Sequence, residues 1–244
     1  MEAYFKSNKE DIDYQWLRGD TRLTIVGGSD TTAATLTYIF YHLAKDPIHV
    51  KKLREELEPL LDEKNVLARE DVSKAQYLDG IVQEALRLHP AIPSGFPRIT
   101  PPEGIMVGDT FIPGNTTVVL PIYTMQRDER NYGRAEEFIP ERWYSKPDLI
   151  KRKEVFLTWN IGKLVFVLSL VREQILTLTD LGMNGCIGKA LAISEMKTLI
   201  THFIQNFEGV RFAPGEDGSG LLNETLDHFT VELKPLRPIF NEKR

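Results

Sequence analysis

A run of prolines and glycines between residues 90 and 120 restricts the fold of this chain more than any other feature. Proline lacks the amide hydrogen that helices and central strands need, and glycine weakens both elements. The run contains Pro90, Pro93, Pro97, Pro101, Pro102, Pro113, Gly95, Gly104, Gly108 and Gly114. A long helix cannot cross it, and the short apolar segments 104–107 and 116–120 are predicted to be strands of a small sheet.

Helical patterns lie on both sides of this run. The predicted helices are Trp16 to Ala44, a second helix opened by Pro47, a third from about Lys74 to Leu88, and a last one from Ile187 to Phe207. Segments 207–212 and 229–235 are predicted to be two closing strands. The expected fold is therefore mainly α with a small β portion.

Composition excludes several classes of protein. The chain has 244 residues, a formal net charge of -5 and no basic run, so nothing in it indicates nucleic-acid binding. A single cysteine rules out an internal disulfide. Residues 1–15 form a polar segment that resembles neither a signal peptide nor a membrane anchor, and the apolar stretch from Leu164 to Leu170 is too short to span a bilayer.

The first motif that can carry chemistry is Gly27-Gly28-Ser29-Asp30-Thr31-Thr32, inside the first predicted helix. Each glycine costs the helix about 1 kcal/mol relative to alanine, so the pair indicates that something approaches the backbone here. Threonine hydroxyls can bond back to the preceding turn, and an acid beside them suits proton delivery to a bound molecule. The alternative is that the glycines allow close packing on a neighbouring helix.

The second motif is Glu84-Ala85-Leu86-Arg87, in which Glu84 and Arg87 share one face of the third predicted helix. On a surface such a pair contributes little to stability. If Arg142 in the sequence Phe-Ile-Pro-Glu-Arg-Trp joins it, a buried network with fixed geometry becomes the better interpretation. That network would lock the helix to the irregular segment that carries Arg142.

The third motif is Gly185-Cys186-Ile187-Gly188, which leads into the last predicted helix. The positive end of a helix and its free N–H groups stabilise a thiolate. Small neighbours let a flat cofactor approach the backbone. A hydrogen-bonded thiolate is a strong axial ligand for iron. A lone cysteine is otherwise most often an inert buried thiol.

These motifs, in this order and together with Phe-Ile-Pro-Glu-Arg-Trp, resemble the cytochrome P450 superfamily from about Leu17 to Leu236. The segments IVGGSDTTAATLTYIFYHLAKDP and EALRLHPAIPSGFPR are most similar to fungal members that act on specialised metabolites. The resemblance implies the C-terminal, haem-binding part of a fold about twice as long. Residues 16–244 would be a partial haem domain that follows the polar segment 1–15.

The resemblance also implies a role for each motif. Cys186 would be the axial ligand of the iron in haem b, and Asp30 and Thr31 would relay protons to iron-bound oxygen. Arg98 would pair with a haem propionate. The remaining implied residues are Gly27, Gly28 and Gly188, which would give the cofactor room, and Glu84, Arg87 and Arg142, which would form the structural network.

The implied activity is monooxygenation, in which one oxygen atom hydroxylates or epoxidises a small organic molecule. Electrons would come from an NADPH-dependent cytochrome P450 reductase. Members of this type are usually anchored to the endoplasmic reticulum by an N-terminal helix that this sequence does not contain, so its location is left open. The alternative is a truncated fragment or pseudogene product that does not bind haem productively. A hydrolase with Cys186 as nucleophile is disfavoured because no histidine has the setting of a base.

The sequence departs from the family pattern just before Cys186. The family places glycine four residues and phenylalanine seven residues ahead of the cysteine, and arginine two residues ahead, where Asn184 stands here. Removing residues 163–182 brings Gly162 and Trp159 to the first two of these positions. These twenty residues, a whole number of codons, are interpreted as a translated intron or a gene-model error. The alternative is a surface loop in a divergent member.

Overall fold

The computed structural model describes residues 14–61, 69–159 and 185–243. Its α-helices are α1 (Tyr14–Lys45), α2 (Ile48–Leu57), α3 (Arg69–Lys74), α4 (Gln76–Leu88), α5 (Ile122–Gln126), α6 (Lys189–Asn206) and α7 (Ser219–Asn223). Short 3₁₀ turns occur at Glu58–Leu60, Pro140–Trp143, Pro147–Leu149 and Lys153–Val155. The proposed insertion 163–182 lies outside the described residues.

The strands form small antiparallel pairs. They are β1 (Arg98–Ile99), β2 (Ile105–Val107), β3 (Thr110–Ile112), β4 (Thr117–Val118), β5 (Phe207–Phe212), β6 (Leu226–His228), β7 (Thr230–Glu232) and β8 (Pro238–Glu242). The pairs are β1 with β4, β2 with β3, β5 with β8, and β6 with β7. The two tail segments predicted as strands therefore lie in different sheets. The mainly helical fold with a small β portion is confirmed.

Helix bounds agree with the predictions where a local signal fixes them. Helix α1 ends at Lys45, and the Asp46 carboxylate accepts a hydrogen bond of 3.0 Å from the Ile48 amide at the start of α2. The predicted third helix corresponds to α4 but begins at Gln76 instead of about Lys74, because Ala75 takes an extended backbone conformation; the short helix α3 ahead of it was not predicted. Since the Tyr77 and Leu78 amides bond to the Glu56 carboxylate on α2, a tertiary contact fixes the start of α4.

The core lies where α1, α2, α4 and α6 meet. Fully buried members come from all four helices and include Ile39, Leu43, Leu53, Leu57, Leu78, Ile81, Ile200 and Phe203. Helix α1 contributes only from Thr32 onward, and its first half is exposed. The motif Gly27–Thr31 therefore lies at the edge of this core, on a helix whose second half is firmly held.

Glu84 is the centre of a fully buried ion network. Its carboxylate accepts hydrogen bonds of 2.9 and 2.8 Å from Arg87 and of 2.8 Å from Arg142 Nε. The Ile139 amide and the indole N–H of Trp143 also donate to it, each at 2.9 Å. Both carboxylate oxygens thus have several partners, as a buried charge requires.

The remaining guanidinium donors bond to backbone carbonyls. Arg87 Nη1 donates to the carbonyls of Gln126 and Ala135, both at 2.7 Å. Arg142 Nη1 and Nη2 donate to those of Gly133 and Arg134 at 2.9 and 3.1 Å. Helix α4 is thereby fixed to the irregular segment 126–142, as the second motif predicted if Arg142 joined it.

A buried pair of histidines connects α1 to the end of α4. His42 Nε2 and His89 Nε2 are 3.0 Å apart, so one ring donates and the other accepts. The ring of His42 stacks on Phe138 at 3.8 Å, and that of His89 on Tyr38 at 3.9 Å. Burial lowers the pKa of both histidines well below the usual value, so both rings are neutral and the pair acts as a hydrogen-bonded link.

We predict that Glu84→Ala lowers the free energy of unfolding by about 3–5 kcal/mol, because two buried guanidinium groups lose their counter-charge. Denaturant unfolding of the purified chain measures this change. Glu55→Ala is the matched control, since Glu55 is exposed on α2 and its ion pair with Lys51 spans 3.8 Å. A loss below about 1 kcal/mol for Glu84→Ala, within the range of an exposed pair, would contradict the structural role.

Candidate functional site

Cys186 stands immediately ahead of α6, which begins at Lys189 with Gly188 as its N-cap. Its side chain is a free, exposed thiol. The Cys186 amide donates a 3.0 Å hydrogen bond to the Trp159 carbonyl, so segments far apart in sequence meet here. A Cβ added at Gly188 would lie 3.8 Å from the Cys186 sulfur. The cysteine is therefore held by backbone bonds while its sulfur stays accessible.

Apolar side chains around the cysteine are exposed. Ile187 is 97% exposed and Leu191 is 74% exposed. On α1, just ahead of the glycine pair, Ile25 and Val26 are 64% and 56% exposed. Contiguous apolar surface on a folded protein marks a site that something covers. These two surfaces belong to helices that pack on the same core, through Leu36 of α1 and Ala192 and Ile193 of α6.

The motif Gly27–Thr31 keeps α1 helical throughout. The Thr31 hydroxyl donates to the Gly27 carbonyl at 2.7 Å, and Ser29 donates to the Asp30 carboxylate at 3.1 Å. A Cβ added at Gly27 or Gly28 would meet no atom within 4 Å in the described part of the chain. Within that part, close packing on a neighbouring helix does not explain the glycine pair, and the space beside it is open.

Arg98 begins β1 and pairs with Val118 of β4. Its Nη1 donates to the Pro97 carbonyl at 2.9 Å, and the central guanidinium carbon lies 5.8 Å from the Phe96 ring centre. The strand pair fixes its backbone just after the proline-rich segment that follows α4. Its charge suits a carboxylate ligand.

The structure brings together some of the predicted site residues. Glu84, Arg87 and Arg142 share one network, and Cys186 is joined to Trp159. Asp30 and Thr31 lie on α1 and Arg98 on β1, without a described contact to Cys186.

The sequence indicated no role for Trp143, which donates to Glu84, or for the pair of His42 and His89. The only signal for Trp143 was its place next to Arg142.

Two further observations limit the site. Among residues 14–61, 69–159 and 185–243, no group of three or more histidine, cysteine, aspartate or glutamate side chains could hold a metal ion. Over the same residues, no helix is both long and apolar enough to cross a membrane.

Comparison with known proteins places the chain in a family. The sequence model described as "Cytochrome P450" matches residues 2–163. The cytochrome P450 monooxygenase lcsK of Purpureocillium lilacinum is 40% identical over 227 residues, covering 93% of this chain and 38% of the relative. Cytochrome P450 monooxygenase sthD of Phaeosphaeria nodorum is also 40% identical over 227 residues, covering 93% of this chain and 43% of the relative.

A third similar protein carries a reaction in its name. Tryprostatin B 6-hydroxylase of Aspergillus fumigatus is 39% identical over 228 residues, which is 93% of this chain and 37% of that enzyme. The chain thus spans about two fifths of the length of the curated relatives it matches. The resemblance inferred from the three motifs is confirmed, and the chain belongs to the cytochrome P450 family.

Proposed function

We propose that this chain is the haem-thiolate part of a monooxygenase, with Cys186 as the axial ligand of haem b. The observation that carries the proposal is the accessible thiol, held by the backbone ahead of α6 and bordered by exposed Ile187 and Leu191, in a member of this family. A porphyrin would cover this apolar surface.

The donor set fits haem. A cysteine thiolate is one of the side chains that hold haem iron, and Cys186 is an exposed free thiol. The positive end of the α6 dipole lies close to Cys186, since Gly188 is the N-cap of that helix. When bound, haem supplies oxygen binding and activation at its iron. In this proposal Arg98 would pair with a haem carboxylate, and Gly27, Gly28 and Gly188 would leave room for a flat ring.

Asp30 and Thr31 are proposed to move protons. The Thr31 hydroxyl donates its hydrogen to the Gly27 carbonyl, so its oxygen can accept a hydrogen bond from water. Asp30 is exposed and can exchange protons with solvent. In this proposal the two side chains would pass protons from solvent to the open space beside the glycine pair.

The substrate is proposed to be a small organic molecule that is hydroxylated or epoxidised in fungal secondary metabolism. The names of the similar monooxygenases and of tryprostatin B 6-hydroxylase support this class. Electrons are proposed to come from an NADPH-dependent cytochrome P450 reductase, as is general in the family.

We further propose that residues 163–182 are an insertion that the haem site does not need. The family match ends at residue 163, where the proposed insertion begins. The Cys186 amide already bonds to the Trp159 carbonyl, so the chain segments on either side of the insertion approach each other. A loop of only residues 160–162 and 183–185 could close this contact.

Cys186→Ser is expected to abolish the thiolate-type carbon monoxide difference spectrum of the reduced, haem-loaded protein, because a serine hydroxyl is not a thiolate donor. Gly185→Ala is the matched control, since it alters the adjoining residue and keeps the sulfur. An unchanged spectrum in the serine variant would show that another group ligates the iron.

Thr31→Ala is expected to leave haem content unchanged while a larger share of the consumed electrons appears as peroxide. The hydroxyl that orders a proton-donating water is removed, and the helix keeps its backbone bonds. Thr37→Ala is the control, because Thr37 makes the same bond to the preceding turn of α1, to the Ala33 carbonyl at 2.8 Å. Equal peroxide yields in the two variants would end the proton-relay proposal.

Deleting residues 163–182 is expected to raise the haem bound per chain when the protein is expressed with haem supplied. The ligand loop must place the sulfur to within about 0.5 Å, and a long apolar segment within it works against that. The ratio of Soret to protein absorbance measures the change. Lower haem content in the shortened chain would identify the segment as part of the site.

A further inference from the structure

A cavity of about 580 Å³ lies between the second half of α1, the end of α4, helix α5 and the hairpin of β6 and β7. Small-molecule sites commonly have volumes of about 300–1,000 Å³. Its lining includes neither the motif Gly27–Thr31 nor Cys186. His42, on its wall, follows Thr31 by three helical turns, which is about 16 Å along the axis of α1. The cavity is therefore separate from the candidate haem site.

Aromatic rings form part of the cavity wall. Tyr38, Tyr41 and Tyr123 all line it. The Tyr38 ring is held by stacking on His89, with 3.9 Å between ring centres and 4° between the planes. The Tyr123 ring lies 4.4 Å from the guanidinium carbon of Arg127. Flat rings that are fixed by their own contacts suit a flat aromatic ligand.

The histidine pair also lines the cavity. His42 and His89 retain 9% and 7% exposure. Burial lowers the pKa of both imidazoles, and the positive charges of Lys45, Arg127 and Arg87 lower it further. The same charges would repel a metal ion from the two imidazole nitrogens and would attract an anion. The electrostatics of this wall therefore favour a negatively charged ligand.

Lys45 is the lining cation that has charge left for a ligand. Glu136 forms an ion pair with Arg127, and the Asp227 carboxylate accepts a hydrogen bond from the Ser94 hydroxyl, so both lining carboxylates have partners. Lys45 is exposed and forms no ion pair with another described residue. Its ammonium lies 5.5 Å from the ring centre of one of the wall tyrosines. Aromatic wall and available cation thus lie side by side.

We propose that this cavity binds a small aromatic carboxylate, with its ring against the tyrosines and its carboxylate on Lys45. A charge-assisted hydrogen bond is roughly twice as strong as a neutral one. Aromatic contacts with the ring add to it. Because the cavity is bounded by α1 and by the end of α4, a bound ligand would link the helices that carry Thr31 and Glu84. The inference does not depend on haem binding.

The test uses cinnamate as the probe and isothermal titration calorimetry of the 244-residue chain as the readout. Cinnamamide keeps the ring without the charge, and acetate keeps the charge without the ring. Lys45→Gln removes the proposed contact, and because Lys45 is exposed the fold is retained. Lys189→Gln is the matched control, since Lys189 begins α6 at the candidate haem site.

Cinnamate is expected to bind with a dissociation constant of about 100 µM, and cinnamamide about tenfold more weakly. Acetate should give no saturable heat. Lys45→Gln should weaken cinnamate binding about tenfold and leave cinnamamide binding unchanged, because only the carboxylate uses the ammonium. Lys189→Gln should change neither.

Four results would overturn the inference. The first is cinnamate binding no tighter than about 1 mM. The second is equal affinity for cinnamate and cinnamamide, which would show that the charge is not recognised. The third is acetate binding as tight as that of cinnamate, which would show that the aromatic wall is not used. The fourth is a loss of cinnamate binding in Lys189→Gln, which would place the probe on the apolar surface beside Cys186.

Discussion

The buried carboxylate of Glu84 is the interaction on which the arrangement of this molecule depends. Segment 126–159 has little regular structure of its own, and several of its backbone carbonyls accept hydrogen bonds from Arg87 and Arg142. Those two guanidinium groups are tolerated in the interior only because Glu84 lies between them. The same segment leads to Trp159, which contacts the cysteine. A charge network remote from the sulfur thus determines where one side of its loop is held.

Local sequence signals made the ends of some helices predictable. Tertiary contacts determine the start of α4 and the pairing of the closing strands. Asp46 and Pro47 fixed the end of α1, because an acid followed by proline stops a helix whatever surrounds it. The break at Ala75 has no such signal. It follows from the hydrogen bonds that the Glu56 carboxylate accepts from the first amides of α4. The pairing of β5 with β8 likewise depends on contacts between distant segments.

The candidate ligand Cys186 was easier to predict from the sequence than the residues around it. Cys186 could be singled out because a cysteine between glycines at a helix start has few purposes. The histidine pair could not, since nothing in the sequence indicates that His42 and His89 face each other. The cavity that this pair lines is also not evident from the sequence, because its walls come from segments that are distant along the chain.

The candidate site is supported by two packed helices, and the loop between Trp159 and Cys186 is the part that can vary in length. The proposed relay residues lie on α1, the proposed ligand precedes α6, and both helices are anchored in one core through residues such as Ile39 and Ile200. A site supported by packed helices is positioned better than one that only loops support. The backbone bond between Trp159 and Cys186 then closes the ligand loop at its base. Added chain beyond that bond costs little entropy by itself, about 0.6 kcal/mol per doubling of loop length. If residues 163–182 are an insertion, as proposed, the core can therefore survive them, and their cost falls on the placement of the sulfur.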